Sequence, residues 1–215
     1  MRLDHVSYVA SHDQISDVVQ RIGSQIGTAF VDGGIHPRFG TRNFTAPLLN
    51  GQYIEVVCPL DHPAAEQTPF GKAVSRKANE GGGWLTWVFS TEDLTPIEKE
   101  LGRASVEGHR RRPDGTELLW NQIGIIELLE EPILPFFIKW KSTDHPSQDG
   151  KAISGIRNIN FINADSASKV SIEGYLRLLE QQEIAVTWGV DAESKEWVGI
   201  DSIEFNTPSG SVSIS

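Results

Sequence analysis

The chain has 215 residues, of which 39% are hydrophobic and 22% charged, an ordinary balance for a folded protein with a buried core. Its formal charge of −10 and isoelectric point of 5.0 argue against nucleic acid and anionic membrane surfaces as partners, since phosphate binding needs a basic footprint. The single cysteine, Cys58, excludes an internal disulfide framework and a CxxC metal site, and it reads as a small buried hydrophobe.

The N-terminus turns polar at once and carries no apolar signal-peptide core. No run approaches the roughly 20 apolar residues of a membrane helix, so a cytoplasmic location is expected. Residues 3–8 read as a strand, with Leu3, His5 and Ser7 on one face and Asp4, Val6 and Tyr8 on the other. Ser11 and Gln14 have the spacing of a capping box. Ile15, Val18, Val19, Ile22 and Ile26 then form one apolar helical stripe, which Gly27 ends. A turn at Gly33-Gly34, a strand over 39–45, a hairpin turn at Asn50-Gly51 and a strand over 53–58 follow. On that last strand Tyr53, Glu55 and Val57 share a face, opposite Ile54, Val56 and Cys58. An ionised carboxylate in such an apolar run is costly unless a cation, a proton or strong donors meet it. His5 on the first strand is one candidate partner. Arg38 and Arg42 are the other, and they would neutralise Glu55 as a plain ion pair.

Residues 61–83 read as a connection with a helix from about Pro69, closed by Gly81-Gly82-Gly83. The order then repeats: a strand over 84–89, a short helix over 91–101, and strands over 117–121, 123–128 and 136–140. Arg110-Arg111-Arg112 precedes the turn residues Pro113-Asp-Gly115 and reads as the solvated end of a hairpin, with grip on an acidic substrate as the less favoured option. A polar linker over 141–151 leads to a third round: a strand over 156–162, a helix with Val170, Ile172, Tyr175, Leu176 and Leu179 inward, and strands over 183–188, 199–206 and 211–215. The organisation is therefore α+β, with modules at 1–60, 84–141 and 152–215 and a helical connection at 61–83.

A β-α-β-β-β unit with a His on its first strand and a Glu on its last resembles the vicinal oxygen chelate superfamily. More narrowly, Leu3-Asp-His-Val6, Gly34-Ile-His36, Phe39-Gly-Thr-Arg-Asn43, Tyr53-Ile-Glu-Val56, Arg112-Pro-Asp-Gly115, Leu119-Trp120 and 135–140 resemble a glyoxalase-like domain family. The resemblance implies two modules whose curved mixed sheets enclose a cavity, with the third unit appended to shield it or to mediate a homodimer. It also implies that His5 and Glu55 face that cavity as catalytic groups and as ligands of a divalent ion (Zn, Mn, Ni, Co or Fe). The second-module strands 83–88 and 136–140 offer no His, Asp or Glu, and His36 is the best third ligand because its Gly34-Ile-His-Pro motif sits before the strand expected to flank the cavity.

Two functions follow. One is a metal-dependent lyase, isomerase or dioxygenase acting on a small molecule, and the other is a metal-free protein that binds such a molecule. Arg38, Thr41 and Asn43 are candidate substrate contacts, although a Gly-Thr and an Asn also serve edges and turns. Trp84, Trp120 and Phe137 are candidate pocket walls, and such aromatics equally fill cores. No GxSxG, Walker, GxGxxG or HExxH sequence points to other chemistry.

Overall fold

The computed structural model describes residues 1–180, 184–190 and 197–215, so Glu183, expected to begin a strand, lies outside the described residues. The first unit comprises β1 (Arg2–Val9), α1 (Ile15–Ile26), β2 (Val31–His36), β3 (Thr41–Leu48) and β4 (Gln52–Pro59). Two helices, α2 (Pro63–Gln67) and α3 (Pro69–Asn79), connect it to the second unit. That unit comprises β5 (Gly83–Ser90), α4 (Thr95–Glu100), β6 (Val106–Arg111), β7 (Glu117–Ile123), α5 (Ile125–Glu130) and β8 (Phe136–Trp140). The chain continues with β9 (Gly155–Ile162), α6 (Ser166–Arg177), β10 (Ala185–Gly189), β11 (Gly199–Thr207) and β12 (Gly210–Ile214).

Local chemistry sets most of these boundaries. Gly27, left-handed at φ 68°, ends α1 and donates its N–H to the Gly23 carbonyl. Asn50 and Gly51 are also left-handed, at φ 63° and 69°, and turn β3 back into β4. Thr68 caps α3 by accepting from the Gly71 N–H at 3.3 Å, with Pro69 in the first turn.

The strands of the first two units close into one eight-stranded barrel, in the order β1-β4-β3-β2-β6-β7-β8-β5. Each half carries the same parallel pairing of its first and last strands, β1 with β4 and β5 with β8. One seam, β1 with β5, is long, whereas the other, β2 with β6, is pinned by the single pair Ile35 and Arg111. The remaining strands make a separate sheet in the order β10-β9-β11-β12. Its β10 lies directly beside β9 and parallel to it, whereas in the first unit β2 lies at the far side of the half-sheet. The third unit thus repeats the element order of the other two but not their strand order.

One apolar cluster packs Leu3, Val6, Ile54 and Val56 against Ile22 and Ile26 of α1. It runs on through Trp87 and Phe89 to Phe161 and Phe205 of the appended sheet. A second cluster, with Val9, Val57, Val88, Phe136 and Ile138, takes the other side chains of the same barrel strands. Among the described residues no helix is long and apolar enough to cross a membrane.

Several expectations change. A bulge between Leu3 and His5 inserts one residue, so Leu3 joins Val6 and Tyr8 rather than His5. The capping box does not form, because Ser11 and Gln14 close a turn and Gln14 caps α1 without a side-chain bond. The apolar run over 123–128 ends β7 and then becomes α5, since a short apolar run has no period to separate helix from strand. Val170 is 69% exposed, while Ile172 faces the core. Finally, the arginine triplet begins on a strand, β6, which polar Glu107, His109 and Arg111 concealed.

The short seam makes a prediction. Gly34 sits in it at φ 93°, and a Cβ there would overlap the Arg111 carbonyl oxygen. Gly34→Ala should therefore cost about 3 kcal/mol or more, through both backbone strain and loss of the Ile35–Arg111 pairing. Urea unfolding of the two proteins checks it, and an unchanged midpoint would refute the seam's importance.

Candidate active site

Alternation on β1 and β4 aims His5, Ser7, Tyr53 and Glu55 to one side, and the parallel pairing sets Ser7 beside Glu55 and His5 beside Tyr53. Glu55 is 4% exposed. The Ser7 hydroxyl donates to its Oε2 at 2.6 Å, and the Asn43 amide of β3 donates to its Oε1 at 2.6 Å. Two imidazoles flank it: His5 Nε2 lies 4.0 Å from Oε2 and His36 Nε2 lies 4.0 Å from Oε1.

Each imidazole is held from behind. His5 Nδ1 meets Asp4 Oδ1 at 2.9 Å, and the His5 ring stacks on Tyr53 with centroids 4.4 Å apart. Asp4 is fully buried, and its other oxygen accepts from Trp140 Nε1 and also meets His145 Nε2, both at 3.1 Å. His36 Nδ1 meets the Thr41 hydroxyl at 2.9 Å, and Phe70 and Trp120 stand edge-on to the ring.

The ionisation of the site follows from these contacts. Burial pushes the Glu55 carboxyl upward, but His5, His36 and the bonds from Ser7 and Asn43 outweigh it and hold the group below its ordinary value. Burial also dominates His36, drawing it down to about 4 despite the nearby Glu55, so its ring is neutral near pH 7. For Asp4, burial opposes ionisation, yet bonds to His145 and His5 hold the carboxyl far below the usual range.

The cavity above Glu55 has a volume of about 30 Å³, with Arg110, Trp120, Gln122, Phe136 and Ile138 among its walls. A second cavity of about 150 Å³ lies beyond Phe39, Phe70 and Gln122, which border both. Arg110 comes from β6, is 2% exposed, and has neither Nε nor Nη2 bonded to any group. Its burial lowers its pKa below the ordinary arginine value.

Of the residues expected at the site, His5, His36, Glu55 and Trp120 line the inner cavity. Thr41 and Asn43 stand behind it, as the partners of His36 and Glu55. Arg38 borders only the outer cavity and donates to the Glu107 carbonyl at 2.9 Å. Arg42 pairs with Asp32, so neither arginine neutralises Glu55. Trp84 packs toward the appended sheet and donates to the Ile214 carbonyl at 2.7 Å. Phe137 packs against Phe89 and Tyr175 instead of the cavity. Sequence reasoning missed Asp4 and ranked a solvated end above a ligand-binding role for Arg110. The first is turned inward by the bulge, and the second was hidden in a triplet that looks solvated.

The donors fit a divalent ion in kind, since both rings present Nε2 toward a carboxylate and His5 has a carboxylate behind it. Their spacing is slightly wide. Two tetrahedral ligands at about 2.1 Å from an ion lie about 3.4 Å apart, against 4.0 Å here. Accordingly, no three His, Cys, Asp or Glu side chains among the described residues form a ready-made metal site.

An eight-stranded barrel built from two βαβββ halves, with a His on the first strand and a Glu on the last facing its cavity, defines the vicinal oxygen chelate fold. The sequence profile described as "Glyoxalase-like domain" matches residues 3–173, and the chain belongs to that family. No functionally curated protein matches it. Among solved structures, a hypothetical protein from Staphylococcus aureus is 14% identical, over 89% of this chain and 86% of that one, with a TM-score of 0.61. Methylmalonyl-CoA epimerase from Mycobacterium tuberculosis is 16% identical, over 64% of this chain and 87% of that one, with a TM-score of 0.43. A variant of the Streptomyces coelicolor methylmalonyl-CoA epimerase, in complex with 2-nitronate-propionyl-CoA, is 16% identical over 66% and 99%, with a TM-score of 0.44. At 14% identity the Staphylococcus aureus protein speaks to fold alone, and the two epimerase structures, with TM-scores below 0.5, carry no argument.

The buried His36 predicts a pH dependence. Its folded pKa, about 4, lies below the ordinary 6.5, so between these values the unfolded chain binds the extra proton and stability falls as pH falls. The loss should approach 3 kcal/mol across that window. Urea unfolding at pH 7 and pH 4.5 should show this slope in wild type and a shallower one in His36→Gln, and equal slopes would refute it.

Proposed function

We propose that the protein is an enzyme of the lyase or isomerase class that moves a proton on a small oxygenated molecule held over Glu55. The observation that carries this reading is the Glu55 carboxylate: buried, kept ionised by the flanking imidazoles of His5 and His36 and by the donors Ser7 and Asn43. Such a carboxylate can accept a proton in a space that excludes bulk water.

A substrate with the carbon next to its carbonyl against Glu55 gives that carbon's proton to the carboxylate. The C–H electron pair moves toward the carbonyl oxygen, forming an enolate. Return of the proton to the neighbouring position completes an isomerisation, while departure of a leaving group completes an elimination. Neutral His36 can exchange a proton beside Glu55, and Asp4 and Thr41 hold the two rings in place. A divalent ion belongs to this proposal, with His5, His36 and Glu55 as the residues that would hold it. When bound, it supplies a Lewis acid for the substrate's oxygens.

A second reading, a metal-free binding protein for a small molecule, is favoured by the apolar side chains Phe136, Ile138 and Trp120 that the second unit offers in place of ligands.

Elemental analysis of untagged protein, with thermal melts in Mn, Zn, Ni, Co and Fe(II), separates the two. At a hundredfold excess over its Kd, a bound ion should stabilise the fold by about 2.7 kcal/mol, and His5→Ala and His36→Ala should each abolish the shift. No metal and no shift in wild type would move the assignment to the binding protein. Exchange of solvent deuterium into a panel of small carbonyl compounds, followed by NMR, should drop about 10² to 10⁴-fold in Glu55→Gln.

A further inference from the structure

Arg110 is the group in the inner cavity that the proposed chemistry leaves unused. It is 2% exposed, it lines the space that His5, His36 and Glu55 also line, and its Nε and Nη2 donate to nothing. A buried guanidinium with donors left unbonded is costly, and a side chain this long has other places to go. The carboxylates around it are already engaged: Glu55 accepts from Ser7 and Asn43, and Asp149 pairs with Arg112 at 2.6 Å. The backbone makes room for it as well, because a Cβ at Gly33 would come within 3.0 Å of Arg110 Nη1.

We propose that Arg110 binds the carboxylate of the ligand, so that the cavity takes small monocarboxylic acids with an apolar body. A planar guanidinium matches a carboxylate through paired N–H donors. One guanidinium balances one charge, and Glu55 already brings a second carboxylate into the same space, which disfavours a dianion such as a phosphate. The apolar body has Phe136, Ile138 and Trp120 around it, and the outer cavity continues with Val106, Ile123 and Ile126. This inference deepens the proposed function by naming a substrate class, but its test needs no turnover.

The test compares acids with their neutral amides, benzoate with benzamide and pyruvate with pyruvamide, by thermal melts and isothermal titration. At least one acid should bind the wild type and its amide should bind at least tenfold more weakly. Arg110→Gln should lose the acid tenfold or more, Arg110→Lys should keep part of it, and Glu55→Gln should bind as well as wild type or better. Equal binding of amides, unchanged acid binding in Arg110→Gln, or no response to either acid in wild type would overturn the proposal. Should Arg110→Gln not fold, the Arg110 Nε–H resonance of wild type, assigned by its loss in Arg110→Lys, decides: it shifts with benzoate if the proposal holds and stays fixed if it fails. Acid binding through Arg110 without metal uptake or proton exchange would keep this inference and remove the enzyme reading. Proton exchange on neutral carbonyl compounds, untouched by Arg110→Gln, would do the reverse.

Discussion

A carboxylate inside a closed barrel must be met by donors, and the first half of this chain is arranged around that requirement. Glu55 cannot shed its charge into water, so Ser7 from β1 and Asn43 from β3 each donate to one oxygen. Both come from the strands that flank β4 in the barrel order, which is why the parallel β1–β4 pairing matters to the chemistry as well as the fold. The same logic extends outward one step. His5 and His36 face Glu55 only because Asp4 and Thr41 fix their far nitrogens. Asp4 in turn is held by Trp140 and His145, from the second barrel half and the segment after it. Taking away one member of such a chain leaves a buried polar group unpaired, the situation in which point substitutions cost most.

The two halves of the barrel therefore divide the work. The first supplies the titratable groups His5, His36 and Glu55, and the second supplies Trp120, Phe136, Ile138 and a single cation, Arg110. They meet at a long seam, β1 with β5, and at a short one, β2 with β6. The short seam lies where the chemistry is densest, since His36 ends β2 and Arg110 is on β6 beside Arg111 of the bridging pair. A cation and a neutral base are thus brought across from opposite halves by one backbone pairing.

Much of this was legible in the sequence. Period-two alternation fixes which side chains of β4 look inward, and a lone Glu in an apolar strand demands partners. His5, His36 and Glu55 follow from that reading together with the family pattern. Register shifts were not legible: the bulge at Asp4 turns a residue assigned to the outer face into the holder of His5. Nor was β6. With Glu107, His109 and Arg111 on it the strand reads as loop, so Arg110 seemed solvated although its alternate position is buried. Arg38 and Arg42 mislead for the complementary reason. They lie near Glu55 in sequence, yet Asp32 and the Glu107 carbonyl engage them elsewhere. Charge placement depends on which strands become neighbours, and that is a property of barrel closure rather than of any local pattern.

The appended sheet accounts for the remaining departure, the absence of Trp84 from the cavity that Glu55 faces. Trp87 meets Phe161 with ring centroids 5.3 Å apart, and Trp84 reaches Phe205 at 6.2 Å, so the large side chains of β5 serve the outer face of the barrel. Val88, between Trp87 and Phe89, is the one that turns to the other cluster. A small barrel ordinarily gains its stability by filling its own interior with apolar side chains. Here α1 and the second sheet bury the outside as well, with Ile22, Ile26, Trp87, Phe89 and Phe161 all inaccessible to solvent. That external core supplies apolar burial the interior does not have to supply. It is what lets a buried carboxylate, two imidazoles and a guanidinium with two unbonded nitrogens share the space inside, at a cost the interior alone would be poorly placed to offset.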